Sequence, residues 1–231
     1  FDDADDYFLN GFYNIVSKYF NTDNDVVFFN PTSEYLDTGE KADRHKNYRM
    51  KVLNYNKKKD LKSEIKLRYS FFVPWSKLIN RKFIEDNTIR FDEVIASNDV
   101  MFSTKIGYYM DVFDVSEEII YCATRNKGSL TVNETEEIFD SRVEVYIKRY
   151  NFLRKKLSDQ ELKYLRFTGQ GFIFKAIKQK FNIKKIITTY SKFRENNIKV
   201  FEYKLLNPIY LIKKIIKNYK LYKKNNKYKE K

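Results

Sequence analysis

Charge is distributed very unevenly along this chain of 231 residues, and that division limits how the chain can fold. Residues 147–231 contain 25 Lys and Arg against 5 Asp and Glu, a net charge of +20. Residues 1–146 contain 20 basic and 26 acidic residues, a net charge of −6. Such an asymmetry is typical of a globular body joined to a charged region that contacts a partner or solvent. We therefore predict a mildly acidic body followed by a strongly basic region.

The composition favours a globular protein of a reducing compartment. Apolar residues make up 42% of the chain, and only 6 Gly and 3 Pro occur, which excludes collagen-like and linker-like sequences. The one cysteine, Cys122, lies in an apolar run and is expected to be a buried thiol in a strand. No run reaches the roughly 18–20 apolar residues of a membrane span, and residues 1–6 lack the features of a signal peptide. A cytoplasmic location is expected.

Apolar periodicity in the first half predicts strands that alternate with helices, which indicates an α/β fold. Thr32 to Lys66 is polar and is expected to be an insertion with short helices. Ser97 or Asn98 is expected to cap a helix that runs to Tyr109. The other predicted elements are a helix from Asp6 to Phe20, a strand from Asp25 to Phe29, a helix from Ser76 to Asp86, and two strands at Val112–Val115 and Ile119–Thr124.

The second half has the periodicity of helices. From Phe139 to Leu157 apolar residues recur every three or four positions. Ser158 and Glu161 have the spacing of a capping box and predict the start of a further helix. Ile183 to Phe193 forms another apolar stripe, and a last helix is expected to begin at Asn207.

Four carboxylates crowd the first six residues, at Asp2, Asp3, Asp5 and Asp6. Their mutual repulsion would be relieved by a divalent cation, and oxygen ligands suit Mg²⁺ or Mn²⁺. A solvated turn, or a helix N-terminus capped by the last aspartates, accounts for the same pattern without a metal. The acidic cluster alone leaves these alternatives open.

Four segments occur in an order and spacing that is similar to the family 2 glycosyltransferases, which are inverting enzymes of the GT-A fold. The resemblance covers residues 1–131, and its segments are Asp3-Ala4-Asp5-Asp6-Tyr7, Trp75-Ser76-Lys77-Leu78, Ile89-Arg90-Phe91-Asp92-Glu93 followed by Asn98-Asp99-Val100-Met101-Phe102, and Tyr121 to Thr131 with Arg125 inside it. The family more often has Glu where this chain has Asn98.

The resemblance implies an α/β fold with a truncated GT-A mixed sheet and flanking helices. Residues 1–135 would form the metal- and acceptor-binding part of that domain, and residues 136–231 a basic helical appendage. The implied site residues are Asp99 as general base, Asp3 and Arg125 beside the nucleotide-sugar donor, Trp75 and Lys77 in the acceptor pocket, and Asp5 as the ligand of Mg²⁺ or Mn²⁺. The acceptor would be a glycan or a lipid-linked sugar in cell-surface polysaccharide synthesis. The family's nucleoside pocket precedes the acidic motif, so the chain as it begins at Phe1 is expected to be inactive alone.

Ordinary structural roles stand beside these assignments. Asp99 can be favoured by its helix dipole, Trp75 can be core, and Lys77 and Arg125 can be solvated. His45, the only histidine, is expected at the surface, which argues against histidine-dependent triads and histidine-rich zinc sites.

The basic region has three interpretations: it binds an anionic membrane surface, it is a solvated face, or it binds nucleic acid, which is the least favoured. A non-catalytic basic binding module is therefore an alternative function. A degenerate transferase that serves as a partner subunit is a further alternative.

Overall fold

The computed structural model describes residues 4–125 and 134–201. They divide into two compact units, with the first ending at Arg166 and the second beginning at Phe167. Helices that follow residue 135 contact helices that precede it, and the functional boundary expected after residue 135 stays a prediction. The two units are described separately below.

The first unit contains a mixed four-stranded sheet flanked by helices, and the α/β class expected from the sequence is confirmed. The strands are β1 (Tyr7–Phe8), β2 (Val26–Tyr35), β3 (Lys77–Ile79) and β4 (Phe113–Arg125). Their order across the sheet is β1-β4-β2-β3. The central pair, β2 and β4, is parallel, and both edge strands pair antiparallel with their neighbours.

Seven helices of the first unit are described around this sheet, together with a short 3-10 turn at Ser17–Tyr19. They are α1 (Phe12–Val16), α2 (Lys46–Lys58), α3 (Leu61–Ser70), α4 (Arg81–Asp86), α5 (Asn98–Tyr109), α6 (Glu136–Arg154) and α7 (Asp159–Leu165). Residues 26–29 of β2 are all buried, so both faces of this strand are covered. The polar insertion does contain helices, α2 and α3, as expected.

Strand β2 continues beyond the predicted end at Phe29 and passes through Pro31. Proline cannot donate to a sheet ladder, but the register of β2 against β4 shifts on both sides of Asn30. The Asn30 side chain donates to the Glu117 carbonyl across this irregularity, at 2.8 Å. The partner strand β4 runs without a break through the two segments that were predicted as separate strands, Val112–Val115 and Ile119–Thr124.

Two predicted helices begin later than expected. Tyr7 and Phe8 are strand residues that pair with Cys122 and Tyr121. Helix α1 begins only after Gly11, because the left-handed conformation of Gly11 (φ 81°) cannot be part of a right-handed helix. Between Ser76 and Asp86 the chain first forms β3, and the Asn80 side chain then caps α4 by accepting from the Lys82 and Phe83 amides. The prediction of one helix from Ser76 to Asp86 was therefore wrong.

Other sequence predictions are confirmed. Helix α5 covers the predicted range, although Ser97 adopts a left-handed backbone (φ 66°) and its side chain makes no capping bond. Helix α6 matches the predicted stripe, Ser158 and Glu161 form a capping box, and Cys122 is buried. The helix expected from Asn207 lies outside the described residues.

The second unit contains α8 (Gln170–Lys178) and α9 (Ile183–Glu195), which pack against each other around Ile173 and Phe193. Gly169 lies against the Phe193 ring so closely that a Cβ would overlap it. No helix within residues 4–125 and 134–201 has both the length and the apolar character needed to cross a membrane.

Candidate functional site

The turn Ala4-Asp5-Asp6, called the acidic turn below, is anchored to β4 by Asp6, which is buried. Its carboxylate accepts from the Thr124 amide at 2.7 Å and from the Tyr121 hydroxyl at 2.8 Å, and Arg44 lies 3.5 Å away. The Thr124 hydroxyl also donates to the Asp5 carbonyl, at 2.9 Å. The Asp6 side chain therefore attaches the turn to the sheet by hydrogen bonds, whereas the neighbouring Asp5 is exposed. Asp3 lies outside the described residues.

Trp75 lies in the core beneath this turn and is only 1% exposed. Its ring stacks on the Tyr121 ring with a centroid separation of 5.3 Å and an interplanar angle of 9°. On another side it meets the edge of Tyr48 at 5.2 Å, and the Arg44 guanidinium lies 5.8 Å from its centroid. The Trp75 Nε1 atom is buried without a hydrogen-bond partner among the described residues. In this arrangement Trp75 positions its neighbours and offers no open ring face to an acceptor.

Asp99 lies in the first turn of α5 and is part-buried. Burial raises the pKa of Tyr48 to about 12, and the Asp99 charge contributes in the same direction. Burial lowers the pKa of Lys77 to about 7, and Asp99 opposes that shift. The Asp99 charge therefore acts on both Tyr48 and Lys77.

The Lys77 amine is turned inward, so the solvated alternative for this residue was wrong. It donates to the Phe71 carbonyl at 2.8 Å and to the Ser103 hydroxyl at 3.4 Å. It also lies 4.9 Å from the centre of the Phe71 ring and 5.5 Å from that of Phe28. Ser103 follows Asp99 by one helical turn, and residues at this spacing share a helix face. That face of α5 therefore meets the lysine.

These contacts lead from Asp6 to helix α5 through the aromatic core. The path runs from Asp6 to Tyr121 by a hydrogen bond, to Trp75 by stacking and to the Phe71 ring at 6.4 Å. The Phe71 carbonyl then accepts from Lys77, which also donates to Ser103, one helical turn after Asp99.

Arg125 is the last residue of β4 and directly follows Thr124, and its role beside the donor stays a prediction. Its guanidinium pairs with the Asp43 carboxylate at 2.6 Å, and both side chains are about half exposed. Arg44 is a cation beside the acidic turn, and it also donates to the Thr124 carbonyl at 2.9 Å. Sequence reasoning missed Arg44 and Tyr48 because both lie in the polar insertion. Arg44 precedes α2 and Tyr48 lies in its first turn, so no spacing along one helix signals the pair.

His45 is buried, so the prediction of a surface histidine was wrong. Its Nδ1 lies 2.6 Å from the Ser33 hydroxyl of β2, and its backbone amide also donates to that hydroxyl, at 3.3 Å. Burial lowers the pKa of the imidazole, and the nearby Arg49 and Lys46 contribute in the same direction. Since Ser33 is itself 1% exposed, this pair joins α2 to the sheet and has no access to a substrate.

Within residues 4–125 and 134–201, no three His, Cys, Asp or Glu side chains form a group that could hold a metal ion. Asp5 is an exposed carboxylate on an anchored turn. Mg²⁺ commonly binds through one or two carboxylates and completes its shell with phosphate oxygens and water. Asp5 is therefore compatible with a metal that also binds a diphosphate, and the described part of the chain does not form an all-protein cage.

No protein-family model matches this chain, and no curated protein matches it significantly.

Proposed function

We propose that the first unit is the metal- and acceptor-side part of an inverting GT-A glycosyltransferase of family 2. The reaction would move a sugar from a nucleotide-sugar donor to a glycan or lipid-linked acceptor in cell-surface polysaccharide synthesis. The observation that carries the proposal is the series of contacts through Trp75 and Lys77 that leads from Asp6 to α5, one helical turn after Asp99. In this proposal β1–β4 are the C-terminal strands of the GT-A sheet.

Asp99 is proposed as the proton acceptor for the attacking hydroxyl. An inverting transfer needs one carboxylate within hydrogen-bond reach of that hydroxyl as it bonds to the anomeric carbon. The part-buried position of Asp99 in the first turn of α5 supports this role. Lys77, which donates to Phe71 and Ser103, is proposed to position the backbone and α5 on the acceptor side of the site. Trp75 is proposed to hold Tyr48 in place on the same side.

Asp5 is proposed as the carboxylate that holds Mg²⁺ or Mn²⁺, with Asp3 beside the donor sugar. The metal would neutralise the charge that develops on the nucleoside diphosphate leaving group. Arg44 is proposed as a second cation beside the diphosphate, because it lies at the acidic turn next to Asp6. Asp6 keeps this turn in place through its bonds to β4.

The test is a transfer assay on the complete gene product with Mn²⁺ and a panel of nucleotide sugars, in which nucleoside diphosphate release is measured. Asp99→Asn is expected to lower turnover by about 10²-fold or more, because the proton acceptor is lost. Asp86→Asn is the matched control, since Asp86 is a well-exposed carboxylate paired only with Lys82 among the described contacts.

Several outcomes would oppose the proposal. Equal turnover by Asp99→Asn and the wild type would remove Asp99 from the reaction. Donor binding without any transfer would indicate a degenerate transferase. Neither donor binding nor transfer with any nucleotide sugar of the panel would leave the non-catalytic module as the better account.

A further inference from the structure

Helix α9 exposes an apolar stripe that its own unit does not use. Ile183, Ile187 and Tyr190 are 70%, 58% and 40% exposed. Their spacing of four and three residues places them on one side of the helix. The buried contacts of α9 come instead from Thr189 and Phe193. We call Ile183, Ile187 and Tyr190 the α9 stripe.

Further exposed apolar residues of the second unit accompany the stripe. Phe174 and Ile177 of α8 are 54% and 53% exposed, and Phe201 is 47% exposed. The rings of Phe174 and Phe201 pack edge to face with centroids 6.5 Å apart. The core of α8 is formed by Ile173 and Ala176, so these exposed residues are also additional to it. A short helical pair with this many exposed large apolar residues indicates an interaction surface.

The charge around these residues is almost entirely positive. Residues 167–201 contain eight Lys and Arg and a single acidic residue, Glu195. The basic residues are Lys175, Lys178, Lys180, Lys184, Lys185, Lys192, Arg194 and Lys199. Lys184 is exposed and directly follows the first residue of the α9 stripe.

We propose that the second unit binds an anionic membrane surface through the α9 stripe, with lysines on the lipid headgroups. A helix with an apolar stripe and a basic polar side lies in the membrane interface and buries the apolar side chains at the boundary with the acyl chains. Each Lys or Arg near an anionic leaflet adds electrostatic attraction to the headgroups. This proposal does not rest on the transferase function.

The chemistry of the stripe distinguishes this surface from one that binds nucleic acid. Proteins that bind single strands combine cations with aromatic rings on which bases stack. Ile183 and Ile187, the two most exposed members of the stripe, have no ring to stack. Aliphatic side chains of this kind gain free energy by leaving water for hydrocarbon.

The experiment is vesicle co-sedimentation of the complete gene product. Vesicles of phosphatidylcholine with about one-third phosphatidylglycerol are compared with pure phosphatidylcholine. We expect binding to the anionic vesicles and little binding to the neutral ones. The double substitution Ile183→Ser/Ile187→Ser is expected to weaken binding by about tenfold or more, because two partly inserted side chains are lost.

The matched control is Ile95→Ser in the first unit, an isoleucine that is 65% exposed. It is expected to bind vesicles as the wild type does. A Tyr190→Trp variant provides a second readout, since Tyr190 is a member of the stripe, the only native tryptophan is buried, and an inserted indole shifts its emission to the blue.

Three results would overturn the proposal. The first is equal binding by the double-serine variant and the wild type, which would indicate a purely electrostatic contact. The second is an equal loss in the Ile95→Ser control. The third is a failure to bind anionic vesicles, and binding of DNA of the same charge concentration in that case would assign the surface to nucleic acid.

Discussion

Lys77 gives the first unit a pH-dependent stability that can be measured. Burial lowers its pKa from 10.5 to about 7 in the folded protein. In the unfolded chain the amine keeps its ordinary pKa. Between these two values the unfolded state holds a proton that the folded state has released. The free energy of unfolding contributed by this residue therefore rises with pH across that interval and is lost as the pH falls through it.

The perturbation is Lys77→Met, which keeps the length of the side chain but has no proton to release. One pKa unit corresponds to 1.36 kcal/mol, so the wild type should gain about 2–3 kcal/mol over the variant between about pH 7.5 and pH 9.5. The substitution also leaves the Phe71 carbonyl without its lysine donor, but that cost does not change with pH. Only the slope of the difference reports the amine.

The assay is urea denaturation of the wild type and Lys77→Met at a series of pH values. Lys57→Met, which replaces an exposed lysine at the end of α2, is the matched control. Parallel stability curves for the wild type and Lys77→Met would refute the reasoning, because the folded amine would then be protonated and hydrated throughout.

Other stability changes follow from single contacts and can be checked by the same denaturation. Gly107→Ala should destabilise by about 2 kcal/mol or more, since a Cβ there would overlap a backbone carbonyl of α3, whereas Gly171→Ala, which meets nothing, should be neutral or stabilising by about 0.5 kcal/mol. Asp6→Asn should cost about 1–3 kcal/mol because it disturbs a buried, bonded carboxylate, and Asp5→Asn, at an exposed position, should cost little. Ser158→Ala should cost about 1 kcal/mol through loss of the capping box. Equal effects within either matched pair would contradict these assignments.

Local patterns in the sequence were sufficient to predict several secondary-structure elements. The apolar spacing after Phe139 predicted α6, and the Ser158 and Glu161 spacing predicted the start of α7. These elements are determined by neighbouring residues along the chain. The burial of Cys122 followed in the same way from the apolar run around it.

Long-range pairing determined what the sequence could not predict. Strand β1 has only two residues, and its partners in β4 are more than 110 positions away, so no local pattern signals it. Pro31 indicated the end of a strand, but the register shift beside it lets β2 continue.

The candidate site shows the same limit. Asp5, Asp99, Trp75 and Lys77 were singled out from motifs, whereas Tyr48, which touches Trp75 and senses the Asp99 charge, lies in a segment without a motif. A contact made by an aromatic ring across the core leaves no trace in spacing.

The central claim is that the exposed aspartate of the acidic turn and Asp99 serve one reaction from its metal side and its hydroxyl side. The most direct measurement is the Mn²⁺ dependence of sugar transfer by the complete gene product and by Asp5→Asn and Asp99→Asn. We predict that Asp5→Asn raises the Mn²⁺ concentration needed for half-maximal rate, and that Asp99→Asn lowers the maximal rate with that concentration unchanged. Wild-type Mn²⁺ dependence in Asp5→Asn, together with a wild-type rate in Asp99→Asn, would contradict the account.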